Sequence, residues 1–331
     1  MPELPEVENV AAALREALVG RRLTGLEVRF ASVLRPSAAA VRKALLGKRL
    51  VAVRRQGKYI LLEFAGDAGG ADVSGADHGA ASPRDAVTPR EADGPSSASA
   101  PRGRDAAAAP SAYLMIHLRM TGQFFLDPAF APDKHTHLAL DFESARVWYR
   151  DIRKFGRLQL VEDGRRPRAL AHVGPDMLEI PFAAWRERVT GRRAPIKAVL
   201  LDQGVAAGVG NIYADEALFR AGVHPRTPAA RLDDAVLRRL FMAVRAVLRL
   251  AIRHGGTTYL NFVNFRGQPG NFRRKLRVYQ RTSEACGRCG ASIAREMIGG
   301  RSSHYCPECQ PAVGARGRPG ARPSGRGPRR A

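Results

Sequence analysis

Apolar positions at the start of the chain recur at helical spacing. Val7, Val10, Ala11, Leu14 and Leu18 fall on one face, Pro5 suits a first helical turn, and Gly20 ends the run. The period then drops to two: Leu26, Val28 and Phe30 alternate, as do parts of 50–53 and 59–64, with Gly47 and Gly57 as punctuation. Strand patterning returns at 113–118, 137–142, 147–150 and 157–161, with Glu143-Ser144 as a hairpin turn. One helix and many short strands over the first part of the chain predict an antiparallel sandwich or barrel. Beyond the polar stretch Asp163-Gly164-Arg165-Arg166-Pro167 the spacing turns helical at 182–189, 196–201, 212–221 and 233–253, and Gly255-Gly256 stops the last of these.

Composition interrupts that pattern twice. Residues 65–112 are almost entirely Ala, Gly, Ser, Asp, Pro and Arg, with too few large apolar side chains to bury a face, which predicts a disordered surface insertion. Residues 311–331 hold six arginines and no acid, the composition of a basic disordered tail. Over the whole chain 54 Lys and Arg face 31 Asp and Glu, a formal charge of +23 that calls for a polyanionic partner. Nucleic acid fits better than a membrane. No uncharged apolar run approaches the roughly 18–20 residues of a spanning helix, and the N-terminus carries acids where a signal peptide would be basic and then apolar, so a cytoplasmic protein is expected.

All four cysteines lie in two Cys-x-x-Cys pairs, Cys286/Cys289 and Cys306/Cys309, with sixteen residues between the pairs. That is the ligand count and spacing of a tetrahedral zinc ribbon. Four thiolates leave no open coordination position, so the Zn2+ would be structural. Arg295 and Arg301 lie between the pairs, and Arg301 at a hairpin tip could meet a phosphate. In the run 207–213, Gly208 and Gly210 open a helix whose first amides could hold a phosphate, although a glycine pair before a helix is commonly only a turn. The terminus, Met1-Pro2-Glu3-Leu4-Pro5-Glu6, permits removal of the initiator and would leave a secondary amine at Pro2. An α-amino group titrates near pH 8, so a useful fraction is a neutral nucleophile, and the electropositive helix start favours that form.

Together the opening 2–8, Gly57-Lys58-Tyr59, His117-Leu118-Arg119-Met120-Thr121-Gly122, Lys154-Phe155-Gly156, the run 208–213 and the cysteine ribbon resemble the bacterial formamidopyrimidine-DNA glycosylase family, in the family's order. The resemblance runs from Pro2 to about Gln310, apart from the insertion. It implies an α+β multidomain fold. Its parts are an antiparallel β-sandwich with an N-terminal helix at 2–162, a linker at 163–178, a helix-two-turn-helix domain at 179–281 with a lesion-binding loop at 255–281, and a zinc ribbon at 282–310. It also implies a base-excision-repair enzyme that removes oxidised purines through a Schiff base on Pro2 and then cleaves the strand. Glu3 would move protons, Glu6 would support the terminus, Lys58 would sit near the lesion, and Arg301 would meet its phosphate. Met120, Arg153 and Phe155 would fill the void left by the extruded base, and His135, Lys197 and Asn211 would contact DNA. The expected partner is duplex DNA carrying oxidised bases or abasic sites, engaged by a monomer associated with the nucleoid.

Two positions depart from the family pattern. Asn271 stands where an aromatic is common and Gln280 where glycine is common, both in the lesion loop and both bearing on lesion preference. The competing implications are an endonuclease VIII-like enzyme for oxidised pyrimidines, against which Leu4 speaks because that branch usually has glycine there, and a non-catalytic nucleic-acid-binding protein, against which Pro2 and Glu3 speak.

Overall fold

The computed structural model describes residues 2–66, 112–161, 170–257 and 270–312. Most of the expected insertion and tail, part of the linker and the lesion-loop residues 258–269 lie outside the described residues. Helix α1 spans Leu4–Leu18, with Glu6 accepting the Glu3 amide at 2.9 Å across its first turn. Its apolar face serves two cores. Val7, Val10, Ala11, Leu14 and Leu18 belong to the core of the strand-rich unit, whereas Leu4 belongs to the core of the helical unit.

The chain then forms β1 (Leu23–Val28), β2 (Leu34–Arg35), α2 (Ala38–Leu45), β3 (Arg49–Gln56), β4 (Tyr59–Ala65), β5 (Ala112–His117), β6 (Gly122–Phe125), β7 (Thr136–Phe142), β8 (Ala145–Asp151) and β9 (Arg157–Val161). These make two sheets, ordered β1-β7-β8-β6 and β2-β9-β5-β4-β3, which close on one apolar core: a sandwich. The pairing is antiparallel except for the short β2, which runs parallel to β9. Helix α2 and strand β6 were not evident in the apolar pattern. Helix α2 is alanine-rich and buries only Val41 and Leu45, and its start is set by Ser37, whose hydroxyl accepts the Ala40 amide at 3.2 Å. The edge strand β6 is only four residues long.

The second unit holds α3 (Phe182–Val189), α4 (Ile196–Leu201), α5 (Asn211–Ala221) and α6 (Asp234–Arg253), packed around fully buried Trp185 and Tyr213. Gly222, in the left-handed conformation at φ 65°, ends α5. The ribbon follows as β10 (Ala294–Ile298) and β11 (Arg301–Tyr305), joined by Gly299 and Gly300, both at positive φ, as a tight two-residue hairpin requires. Buried Gln310 locks the ribbon to the helical unit: its carbonyl accepts the Cys306 amide at 3.0 Å and its amide donates to the Val223 carbonyl at 2.8 Å.

Candidate active site

The N-terminal segment is seated in the loop before α5. The Leu4 amide donates to the Gly208 carbonyl at 3.1 Å, and one carboxylate oxygen of buried Glu3 accepts the Ile212 amide at 3.0 Å. Glu3 therefore caps α5 from another part of the chain and sits on the positive end of its dipole. This changes the expectation for the helix start, because the amides that could have held a phosphate face the protein's own carboxylate. The glycines are there for space. A Cβ on Gly210 would lie 2.2 Å from Glu3 Cδ, and one on Gly208, at φ 114°, would lie 2.4 Å from Leu4 Cδ1.

Glu6 lies in a second buried cluster directly behind Glu3. It accepts the Tyr213 hydroxyl at 2.5 Å and the Thr257 amide at 2.7 Å as well as the Glu3 amide. Burial raises its pKa against those donors. Burial also pushes Glu3 up to about 7, against the pull of the Lys58 ammonium and with a push from Glu6. Lys58 is held low by burial, with Glu3 and Glu6 opposing the shift and the Arg301 charge adding to it. The lysine occupies the β3–β4 turn with Gly57, whose amide donates to Asp176 at 2.8 Å, while Arg55 pairs with Glu8 and Asp176. That anchor presses Gly57 against Ala207, where an added Cβ would come within 2.6 Å of the alanine Cβ.

His117 also lies beside this cluster, although nothing local in the sequence marks it out. It ends β5 opposite Tyr59, beside Lys58, and burial together with the charges of Arg119 and Lys58 pushes its pKa down to about 3. It is a neutral imidazole, with Nδ1 accepting the Arg119 amide at 3.0 Å. The strand register, which brings it beside Lys58, is the signal that could have found it.

The other expected contact residues fall into two groups. Lys197 is 0% exposed, donating to the Ser302 carbonyl at 2.7 Å and pairing with Asp215 at 2.6 Å; Asn211 Nδ2 donates to the same carbonyl at 3.0 Å. Asp215 also holds the ribbon through the amide and Nδ1 of His304, at 2.9 and 3.1 Å. The next residue to Ser302 is exposed Arg301 at the start of β11, whose charge is felt by both Lys58 and Lys197. Met120 and Phe155 stand out as exposed apolar side chains, 40% and 48% exposed, and the Arg153 guanidinium lies 4.6 Å from the centre of the Phe155 ring. His135, half-buried, lies at the start of β7's hairpin with β8, and its carbonyl accepts the Asp151 amide at 2.9 Å.

The four cysteine sulfurs lie within 4.8 Å of one another, with Cys286–Cys309 at 3.9 Å and Cys289–Cys306 at 3.4 Å. Metal–sulfur bonds of about 2.3 Å in a tetrahedron need sulfurs about 3.8 Å apart, so the set fits one zinc ion. No helix among the described residues is long and apolar enough to cross a membrane.

A sandwich that seats its own N-terminal segment against a helical unit, with a four-cysteine ribbon packed on the same helix, places the chain among multidomain nucleic-acid enzymes. Residues 1–158 match the Formamidopyrimidine-DNA glycosylase N-terminal domain, 173–262 the Formamidopyrimidine-DNA glycosylase H2TH domain, and 283–312 the zinc finger found in FPG and IleRS. Formamidopyrimidine-DNA glycosylases of Synechococcus and Methylococcus capsulatus are each 37% identical, across 94% of this chain and 99% and 100% of theirs. Among solved structures, the Lactococcus lactis Fpg bound to abasic-site DNA aligns with a TM-score of 0.72 at 29% identity, covering 94% of this chain and all of that one. MutM in complex with DNA containing carbocyclic 8-oxo-G aligns at 0.74 and 29%, with the same coverage. The chain belongs to the formamidopyrimidine-DNA glycosylase family.

Proposed function

We propose that the amine of processed Pro2 attacks C1′ of an oxidised purine nucleotide extruded from duplex DNA, with Glu3 moving the protons. The chain is a DNA glycosylase and abasic-site lyase of base excision repair. Attack expels 8-oxoguanine or a formamidopyrimidine, and loss of the amine proton followed by opening of the sugar ring at the C1′–O4′ bond, with O4′ taking a proton, leaves an iminium between Pro2 and C1′. The iminium is an electron sink for β- and then δ-elimination, which cuts the strand. The observation that carries this reading is the burial of Glu3 beside the terminus with a pKa near 7. A carboxyl poised there can both give and accept a proton at working pH. With Met1 still attached, the Pro2 nitrogen is a tertiary amide and cannot react, so activity requires processing.

Lys58 supplies positive charge beside Glu3, and Arg301 holds the lesion's phosphate from the ribbon side. Met120, Arg153 and Phe155 enter the gap left by the base, which offsets part of the few kcal/mol that extrusion costs. Asn211 and His135 grip the backbone; Lys197 acts from within, through Ser302 and Asp215, on the same surface. Contacts of this kind position without reading sequence, as a scanning enzyme needs. Cys286, Cys289, Cys306 and Cys309 would hold one zinc ion, which would tie the two cysteine pairs together and so fix the hairpin that carries Arg301. The working division is 2–162 for chemistry, 179–281 for grip and 282–310 for the phosphate clamp. Its place is the cytoplasm, on the nucleoid, where it acts as a monomer. Release of 8-oxoguanine and of thymine glycol from matched duplexes tests the reading: faster excision of 8-oxoguanine is expected, and faster excision of thymine glycol would move the enzyme to the endonuclease VIII-like alternative.

A further inference from the structure

The two loops that carry the void-filling side chains converge on one buried acid. Asp151, the last residue of β8, is 0% exposed, and no Lys or Arg side chain pairs with it among the described residues. Its donors come from both sides. Oδ1 accepts the Thr121 hydroxyl, next in sequence to Met120, and the Arg153 amide at 3.3 Å; Oδ2 accepts the Gly156 amide, next to Phe155, at 2.7 Å and the Tyr149 hydroxyl at 3.3 Å. The Arg153 amide also donates to Thr121 Oγ1 at 3.1 Å, which closes a triangle between the loops. The Asp151 carbonyl accepts the Lys154 amide at 3.2 Å and contacts His137 Nε2 at 2.7 Å. Glycine on each loop lets the Tyr149 hydroxyl in: a Cβ on Gly122 or Gly156 would lie 2.8 or 1.8 Å from it.

A buried carboxylate is costly to keep unless its oxygens are satisfied, and apolar packing alone could have held the strand. Here the oxygens take three donors from the two wedge loops and one from Tyr149. Lys154 adopts φ 57° and Arg119 φ 55°, so the backbone on both loops is bent sharply where the side chains must project.

We propose that Asp151 is the positioning residue of the wedge: it fixes the Met120 loop and the Arg153–Phe155 loop relative to each other, so that their side chains enter the duplex as one unit. This rests on the extrusion step proposed above. Substituting Asp151→Asn keeps the shape but turns one of the two acceptor oxygens into a donor, so one loop loses its anchor.

The test uses the full-length, processed, zinc-loaded enzyme on two duplexes of the same sequence, one with 8-oxoguanine opposite cytosine and one with a pre-formed abasic site. A 2-aminopurine beside the lesion reports extrusion. Single-turnover excision by Asp151→Asn is expected to fall about 10- to 100-fold, the loss that misplacement on the ångström scale produces, with the fluorescence rise slowed in parallel. Cleavage at the abasic site, where there is no base to extrude, should stay within about threefold. Thr121→Val removes one donor without adding a clashing one and should show a smaller fall in the same direction; it decides the matter if Asp151→Asn does not fold. Wild-type excision and extrusion in the folded variants would overturn the inference, as would equal loss on both duplexes. A wild-type enzyme unable to cleave the abasic duplex would instead refute the proposed function itself.

Discussion

Replacing Glu3 by Gln should stabilise this protein at alkaline pH while abolishing its base excision. The carboxyl is raised from 4.5 to about 7, mainly by burial, so the folded chain prefers it protonated. A pKa raised on folding contributes stability that is complete below pH 4.5 and is lost as pH rises through about 7. Linkage across those two values gives a loss of about 2 kcal/mol between pH 5 and pH 8. Glutamine keeps an acceptor for the Ile212 amide and carries no charge to bury. Part of the gain is offset, because Lys58, already depressed by burial, loses a carboxylate that supports its charge. The variant should therefore gain about 1–2 kcal/mol more at pH 8 than at pH 5, roughly 1.5–3 °C in unfolding midpoint. Thermal unfolding of both proteins at the two pH values checks this, alongside single-turnover excision, which the variant should no longer perform and in which the unmodified enzyme should show an ionisation near 7. An equal shift at both pH values, or a larger one at pH 5, would refute the claim that Glu3 is buried against its charge.

Gly210→Ala should cripple excision and loosen the terminus, because its Cβ has no room beside Glu3 Cδ; a variant with wild-type kcat and unfolding midpoint would show that the terminus is not seated there. Chelating the zinc should weaken binding to lesion DNA by releasing the hairpin that carries Arg301, and unchanged affinity in a metal-free protein would contradict that placement. Replacing residues 66–111 with Asn-Gly should leave excision intact, since Phe64 and Ala112 are paired across β4 and β5 and the resulting loop Ala65-Asn-Gly is a three-residue hairpin connection with glycine at its last position; loss of folding would mean that the segment contributes to the core.

Much of the architecture was legible because it is written in local patterns. The stripe from Val7 to Leu18, the alternation along β4 and β5 and the spacing of Cys286, Cys289, Cys306 and Cys309 each need only neighbouring residues to be read. What escaped depends on partners far apart in sequence. Nothing near Lys197 indicates that Asp215 and the Ser302 carbonyl bury its charge, so an ammonium expected at the DNA reads in the structure as a link between helix and ribbon. Glu3 capping α5 across more than two hundred residues, and His117 lying beside Lys58 through sheet register, are of the same kind. Helix α2 escaped for the opposite reason: it is short and buries two side chains, too few for a period to emerge.

The central claim is that the reacting nitrogen is that of Pro2. Borohydride reduction of the enzyme on abasic-site or 8-oxoguanine duplex, followed by peptide mass mapping, tests it directly. One covalent adduct is expected on the peptide that begins at Pro2, absent in protein that retains Met1; an adduct on Lys58 or another lysine, or none at all, would contradict it.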